Sequence, residues 1–350
     1  MKISKLLVGA ASFALIGAGC LGGGSSAGPD GGPWATVDGG ANWTGLHALP
    51  SASGVGSING VNVTSIEIDP TDTSAYYMGT EANGLLYSYD GGASWMRPED
   101  SEARTGAVLG AEVDPRDVCT IYVLKTQRIL KSTDCARTFT SMYVETRTDE
   151  TLTSFVLDWY NPDILWVGSS AGDVIRSSDA GSSWTTVTRL KSDITAVAVG
   201  NNDSRVILVG TKSSGLFRSS DSGATWVEYK DQLKDFKSSS NVYGFTQTDD
   251  GTTLVMNTKY GLLISKDSGF TWASLSLISS SGDVRAWSVT VDPKDDSVMY
   301  YGTEGVFYQS NNGGQSWQTT DFPSTRAPKA MVVDPENRSR VIVGFASIEK

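Results

Sequence analysis

The sequence predicts an all-β fold: a single seven-bladed β-propeller of four-stranded blades, with the ring closed by pairing the N- and C-terminal strands. Three observations lead there. One eight-residue pattern, Ser/Thr-x-Asp-x-Gly-x-Ser/Thr-Trp, is written seven times, beginning at residues 36, 88, 132, 177, 219, 265 and 310. Start-to-start spacings of 52, 44, 45, 42, 46 and 45 residues match the size of a propeller blade. A pair of strand-like runs stands upstream of every copy except the first, and a final pair stands after the last copy with nothing following it.

The elements follow in chain order. Met1 to Gly19 carries Lys2 and Lys5, then an apolar run from Leu6 to Ala18. That run is too short to span a bilayer and has the form of a secretory signal. Leu15-Ile-Gly-Ala-Gly-Cys20 resembles a bacterial lipobox, with Gly17 where leucine is usual, so Cys20 is the expected lipidation site. Residues 20–33, rich in Gly, Ser and Pro, read as a flexible tether. Residues 34–350 are then the ring. Within it, runs such as Ile194 to Val199 with Val206 to Thr211, and Ser288 to Val291 with Val298 to Thr303, read as strands. Asp-Pro turns at Asp69, Asp114, Asp292 and Asp334 close several of the first strands in one register. The last pair, Ala330 to Val333 and Val341 to Phe345, lacks the turn motif, whereas the first motif lacks a strand pair. Joining the two halves makes the seventh blade and hides the sheet edges.

The repeated motif has the chemistry of a hairpin turn. Ser/Thr and Asp side chains satisfy backbone N–H groups, Gly accepts a positive φ, and the aromatic residue re-enters the core. Asp38, Asp90, Asp134, Asp179, Asp221, Asp267 and Asn312 are therefore structural. The pattern resembles the Asp-box, or BNR repeat, and the resemblance covers essentially the whole chain after the tether. It implies that the box joins the third and fourth strands of each blade, on the side away from the ligand. Relatives carrying it include sialidases, xyloglucanases, sortilin-type receptor domains and the photosystem II assembly factor. The sialidase Phe/Tyr-Arg-Ile-Pro motif is absent, and xyloglucanases of this type place catalytic aspartates between two tandem propellers. Glu81 falls near one such aspartate, although a similar hairpin recurs at Glu304. The assembly factor, a single exported propeller of similar length, is the nearest match in architecture.

Cys119 and Cys135 lie at the two ends of a hairpin folded about Thr126-Gln127, which puts them within disulfide reach. The turn there is the most degenerate copy, with Cys135-Ala136 in place of Gly-Gly. On the loops leading into the inner strands stand Arg104, Arg147, Arg189, Arg285 and Arg326. A ring of guanidinium groups at the mouth would clamp carboxylates or an acidic protein surface. The long connection from Val227 to Asn241 is a second place for binding, with room for a short helix.

Composition limits the chemistry. A net charge of −11 and a pI near 4.6 argue against nucleic acid. A single histidine, His47, argues against a His-ligated metal. Gly168-Ser-Ser-Ala-Gly172 matches Gly-x-Ser-x-Gly but falls in a hairpin, not in a strand-to-helix elbow. No metal, cofactor or catalytic residue is expected. The expected function is an exported, lipid-anchored monomer that binds an envelope protein or polysaccharide as a scaffold or assembly module, on the outer membrane by the lack of an acidic residue at position 21. The alternative is a glycoside hydrolase with two carboxylates over the central cavity.

Overall fold

The computed structural model describes residues 30–279 and 282–348; the leader, Cys20 and most of the tether lie outside the described residues. Seven antiparallel blades surround one axis. The first strands are Val63–Ile68, Val108–Asp114, Leu152–Leu157, Ile194–Gly200, Val242–Gln247, Ser288–Asp292 and Ala327–Asp334, in blades 1 to 7. Each touches the first strands of both neighbouring blades, and the strand of blade 7 touches that of blade 1, so the ring is closed. Six sheets have four strands. In blade 1 the fourth strand is reduced to one bridge, where Tyr87 and Met96 exchange backbone hydrogen bonds of 3.0 and 2.7 Å.

Blade 7 is built from both chain ends, in the order Ala327–Asp334, Asn337–Ala346, Gly32–Thr36, Thr44–Gly45. Gly32 pairs with Phe345 and Thr36 with Val341. The ring therefore starts earlier than the sequence boundary at residue 34: Gly32 and Pro33 are strand, and Asp30 is bonded to the blade 7 loop at Thr325 and Arg326. Between blades 7 and 1 lies an additional hairpin, Ala48–Ser51 with Gly54–Ser57, which accounts for the longer first repeat spacing. Of the connection from residue 227 to 241, Val227–Glu228 is the fourth strand of blade 4 and the rest is a series of turns with no helix; the one helix among the described residues is the four-residue Ser101–Arg104.

Blades pack face to face through apolar clusters. Between blades 7 and 1 lie Val63, Ile66, Tyr76, Met78 and Ile342; between blades 6 and 7 lie Tyr300, Phe307, Val341, Val343 and Phe345. Full burial of one such side chain contributes about 1.5–3 kcal/mol. The close approach of blades depends on a glycine in the second strand. At Gly210 an added Cβ would run into Val242 of the next blade, and at Gly344 into Val63. Indole nitrogens add direct ties to the preceding blade: Trp95 donates to Leu46 O (2.9 Å), Trp184 to Met142 O (3.1 Å) and Trp317 to Ser276 O (2.9 Å). Cys119 and Cys135 form a disulfide that ties the ends of the middle strands of blade 2.

Two outcomes are expected. Gly210→Ala overpacks the blade 4–5 interface and should lower stability by about 1–3 kcal/mol in denaturant titration. Removal of residues 331–350 takes the pairing partner from Gly32–Thr36 and should abolish the cooperative melt followed by circular dichroism; a soluble, cooperatively melting product would contradict closure through this blade.

Candidate functional site

The turns between third and fourth strands lie on one face of the ring, and all seven share one hydrogen-bond set. In blade 4, Ser219 Oγ donates to Asp221 Oδ1 (2.8 Å) and accepts from Gly223 N (2.9 Å). Asp221 in turn accepts from Thr225 N (2.8 Å) and Thr225 Oγ1 (2.6 Å). The same bonds recur around Asp38, Asp90, Asp134, Asp179 and Asp267. At Asn312 the amide reverses the last bond and donates to Ser316 Oγ (2.8 Å). Two successive residues in each turn have positive φ; at Cys135 and Ala136 these are +59° and +63°. The hydroxyl of Thr138 and that of Thr225 hold Asp134 and Asp221 down to about 2. These carboxylates have their acceptor positions occupied by their own turns.

The opposite face, where loops enter the first strands, is the mouth. Here the five arginines separate. Arg147 and Arg189 converge on one buried carboxylate, Asp173, and Arg147 also makes a 2.6 Å pair with Glu145. Arg147 holds Glu145 down to about 2. Arg326 pairs with Asp30 (3.1 Å) and donates to Asn62 Oδ1 (2.8 Å), fastening blade 7 to blade 1. Arg104 is exposed at the end of the short helix. Arg285 is held differently: its guanidinium carbon lies 4.2 Å from the Tyr243 ring and 3.9 Å from the Trp287 ring. The five do not form a uniform ring, because three are already paired with carboxylates: Arg147 with Glu145 and Asp173, Arg189 with Asp173, and Arg326 with Asp30.

What builds the mouth is a bulge. In six of the seven first strands the register shifts after the first paired residue, or after the second in blade 7, leaving one residue unpaired: Thr64, Leu109, Thr153, Thr195, Tyr243 and Lys329. Trp287 stands at the same place in blade 6, just before Ser288 pairs with Gly302. Bulges re-aim side chains. Thr64 and Thr195 use this to donate to the next first strand, at Val108 O and Val242 O respectively. In blades 5 to 7 the residues at this position are instead large, and Tyr243, Trp287 and Lys329 line a cavity of about 260 Å³ with Thr64, Asn257 and Ser288. Lys329 Nζ lies 4.5 Å from the Trp287 ring, so that ring is flanked by two cations. Asn257 and Ser288 are buried, and Asn257 Oδ1 and Ser288 Oγ have no hydrogen-bond partner among the described residues. Burial lowers the Arg285 pKa from its ordinary value, but a guanidinium remains cationic at neutral pH.

Further down the axis stand two carboxyls that the sequence reading did not select. Glu67 and Glu112 occupy the same position on adjacent first strands, two residues past the bulge shift. Burial, reinforced by Asp69, pushes Glu67 up to about 8. Burial, reinforced by Glu67, raises Glu112 well above the usual carboxylate range. Glu81 is a separate mouth carboxylate accepting from Asn62 Nδ2 (2.6 Å). Ser170 of the Gly-x-Ser-x-Gly match, in the hairpin between the second and third strands of blade 3, donates to Glu150 (2.6 Å) on the loop entering that blade. Among the described residues no cluster of three or more His, Cys, Asp or Glu could hold a metal, and no helix is long and apolar enough to cross a membrane.

The family described as Gmad1, the lipoprotein LpqB β-propeller domain, matches residues 124–236. No curated protein matches the chain. Among solved structures, a GH74 xyloglucanase from Xanthomonas campestris aligns with a TM-score of 0.67 at 17% identity, over 89% of this chain and 52% of its own. The chain therefore spans about half the length of that enzyme. YCF48 from Cyanidioschyzon merolae aligns with a TM-score of 0.59 at 13% identity, over 81% of this chain and 95% of its own. A structure of YCF48 bound to D1 peptide aligns at 0.61 and 13% identity, over 83% and 94%. This chain is a propeller of the same fold as those proteins.

The channel carboxyls generate a pH prediction. The folded state holds the Glu67 proton more tightly than the unfolded chain, so stability falls as pH rises from 4.5 through about 8. Glu67→Gln removes that decline, and its gain in Tm should be larger at pH 8 than at pH 5. Equal gains at both pH values would show that the carboxyl is not ionising against burial.

Proposed function

We propose that this protein is an exported, lipid-anchored propeller that binds a carboxylate-bearing segment of an envelope protein at its mouth and acts as a scaffold or assembly module. The observation that carries this is Arg285. Its guanidinium is stacked between Tyr243 and Trp287 and has no ion pair or hydrogen bond among the described residues. A planar cation fixed by two rings keeps its N–H fork free for a bidentate carboxylate. Lys329, also against the Trp287 ring, supplies a second positive charge beside the cavity. The match to a lipoprotein propeller domain supports the envelope address, together with the Cys20 motif. The fold shared with a peptide-bound YCF48 supports a protein ligand. The Asp-box reading of the seven turns belongs with this proposal and rests on their common hydrogen-bond set.

The rival reading, a glycoside hydrolase, has one observation in its favour: Glu67 and Glu112 stand at matching positions of adjacent strands, and a raised pKa suits the general acid of such a pair, although the partner would have to ionise. One experiment separates the two. Polypeptides retained by the immobilised domain from an envelope extract are identified, and their binding is measured against Arg285→Glu and Trp287→Ala. Binding should fall at least about tenfold in each, the loss of a stacked, charge-assisted contact, while Arg104→Ala leaves it unchanged. Binding that survives Arg285→Glu, or polysaccharide cleavage abolished by Glu67→Gln, would overturn the scaffold reading.

A further inference from the structure

The ring has a direction relative to its anchor. Asp30 accepts from Thr325 N (2.9 Å) and pairs with Arg326 at 3.1 Å, both on the loop that brings the chain into the first strand of blade 7. That loop belongs to the mouth. At the other end, Ser347 N donates to Asn62 Oδ1 (2.9 Å), the residue just before the first strand of blade 1. Splitting blade 7 between its second and third strands places both chain ends where every other blade has a mouth-side hairpin.

We propose that the mouth is turned toward the bilayer, and that the segment it captures belongs to a membrane-embedded protein and lies close to the membrane surface. The proposal rests on lipidation of Cys20 as read above. The chain from Cys20 to Asp30 can reach at most about 35 Å even when fully extended. The ring is about 30 Å high, the span of a nine-residue strand such as Asp203–Thr211. With the turn face against the bilayer, nearly all of that reach would be consumed in descending the outside of blade 7. With the mouth against it, only the gap between rim and headgroups has to be bridged. The anchor therefore selects one face, and it is the face that carries Arg285, Trp287 and Lys329.

The test uses the full lipidated chain in phosphatidylcholine–phosphatidylglycerol vesicles containing an acceptor-labelled lipid. A donor dye is placed on Glu304→Cys, an exposed mouth hairpin position, or on Ser182→Cys, exposed in the turn of blade 3. Energy transfer should be at least about threefold higher from the mouth label, because one strand length, ~30 Å, separates the two. Inserting about 30 Gly/Ser residues between Ala27 and Gly28 should equalise the labels, because a long flexible linker releases the orientation. Equal or greater transfer from Ser182→Cys without the insertion overturns the orientation while leaving the anchor intact. Failure of the wild-type chain to float with vesicles, as Cys20→Ala should fail, overturns the anchor and the orientation with it. Recovery of a mouth-bound partner that washes from the envelope without detergent would overturn the membrane-embedded class of partner alone.

Discussion

The rest of the structure depends on five residues, Gly32–Thr36, pairing with the strand that ends the chain. Six blades are continuous in sequence and could each form from local hairpins, but none buries both faces alone. Every first strand lies between two others around the axis, so an open ring would expose one apolar face at each end and an unpaired edge. Pairing the chain ends removes both faults at once. It couples residues more than three hundred positions apart, which makes this the contact with the largest loop-closure cost. The Asp30–Arg326–Asn62 network extends the same closure to the mouth, so the binding face and the integrity of the ring share a set of side chains.

The two faces use similar residue types in opposite ways. On the turn face, each carboxylate is saturated by three donors from the same eight residues, which fixes backbone geometry and leaves the acid nothing to offer a ligand. At the mouth, charged groups come from different blades, and their state is decided by what the neighbouring loop supplies. Asp173 receives Arg147 and Arg189, and together with Glu145 it offsets their charge. Arg285 finds two aromatic rings, which hold its position without neutralising it. Residue type alone therefore did not distinguish a paired arginine from an available one.

That difference explains how much could be read in advance. The fold was legible because it is written as a repeat: seven turns whose chemistry is local, a turn motif left over at the start and a strand pair at the end, and Asp-Pro turns in register. Each signal spans fewer than ten residues, and the structure only adds the partner. The boundary at residue 34 missed Gly32 and Pro33 because Gly-Gly-Pro resembles a tether until the strand it pairs with is known. The site was less legible. Tyr243, Trp287 and Lys329 come from three repeats, and only alignment of the first strands by their bulges brings them into one position, where Thr64, Thr153 and Thr195 set the background. Large residues departing from that threonine were the available signal. Glu67 and Glu112 were visible by the same alignment, as two acids in strands otherwise apolar or hydroxylated at that place.

The axial order of charge also constrains what can bind. Arg285 and Lys329 stand at the rim, whereas Glu67 and Glu112 lie three positions along the strand from the bulge, about 10 Å deeper at the strand rise. A carboxylate approaching the mouth meets cations first and carboxyls next, the latter ionising only at the cost of burial. An anionic group is thus drawn to the rim and turned back from the channel, and a protonated carboxyl below can still donate to a neutral carbonyl. On the proposed function, the ligand that fits this order is a polypeptide laid across the mouth with an acidic side chain or terminus on Arg285, not an acidic chain threaded down the axis. The same arrangement bears on the hydrolase reading, because the cavity of about 260 Å³ at the mouth is lined by Trp287, Tyr243 and Lys329 and by neither Glu67 nor Glu112, so a sugar seated there would not lie against the two carboxyls.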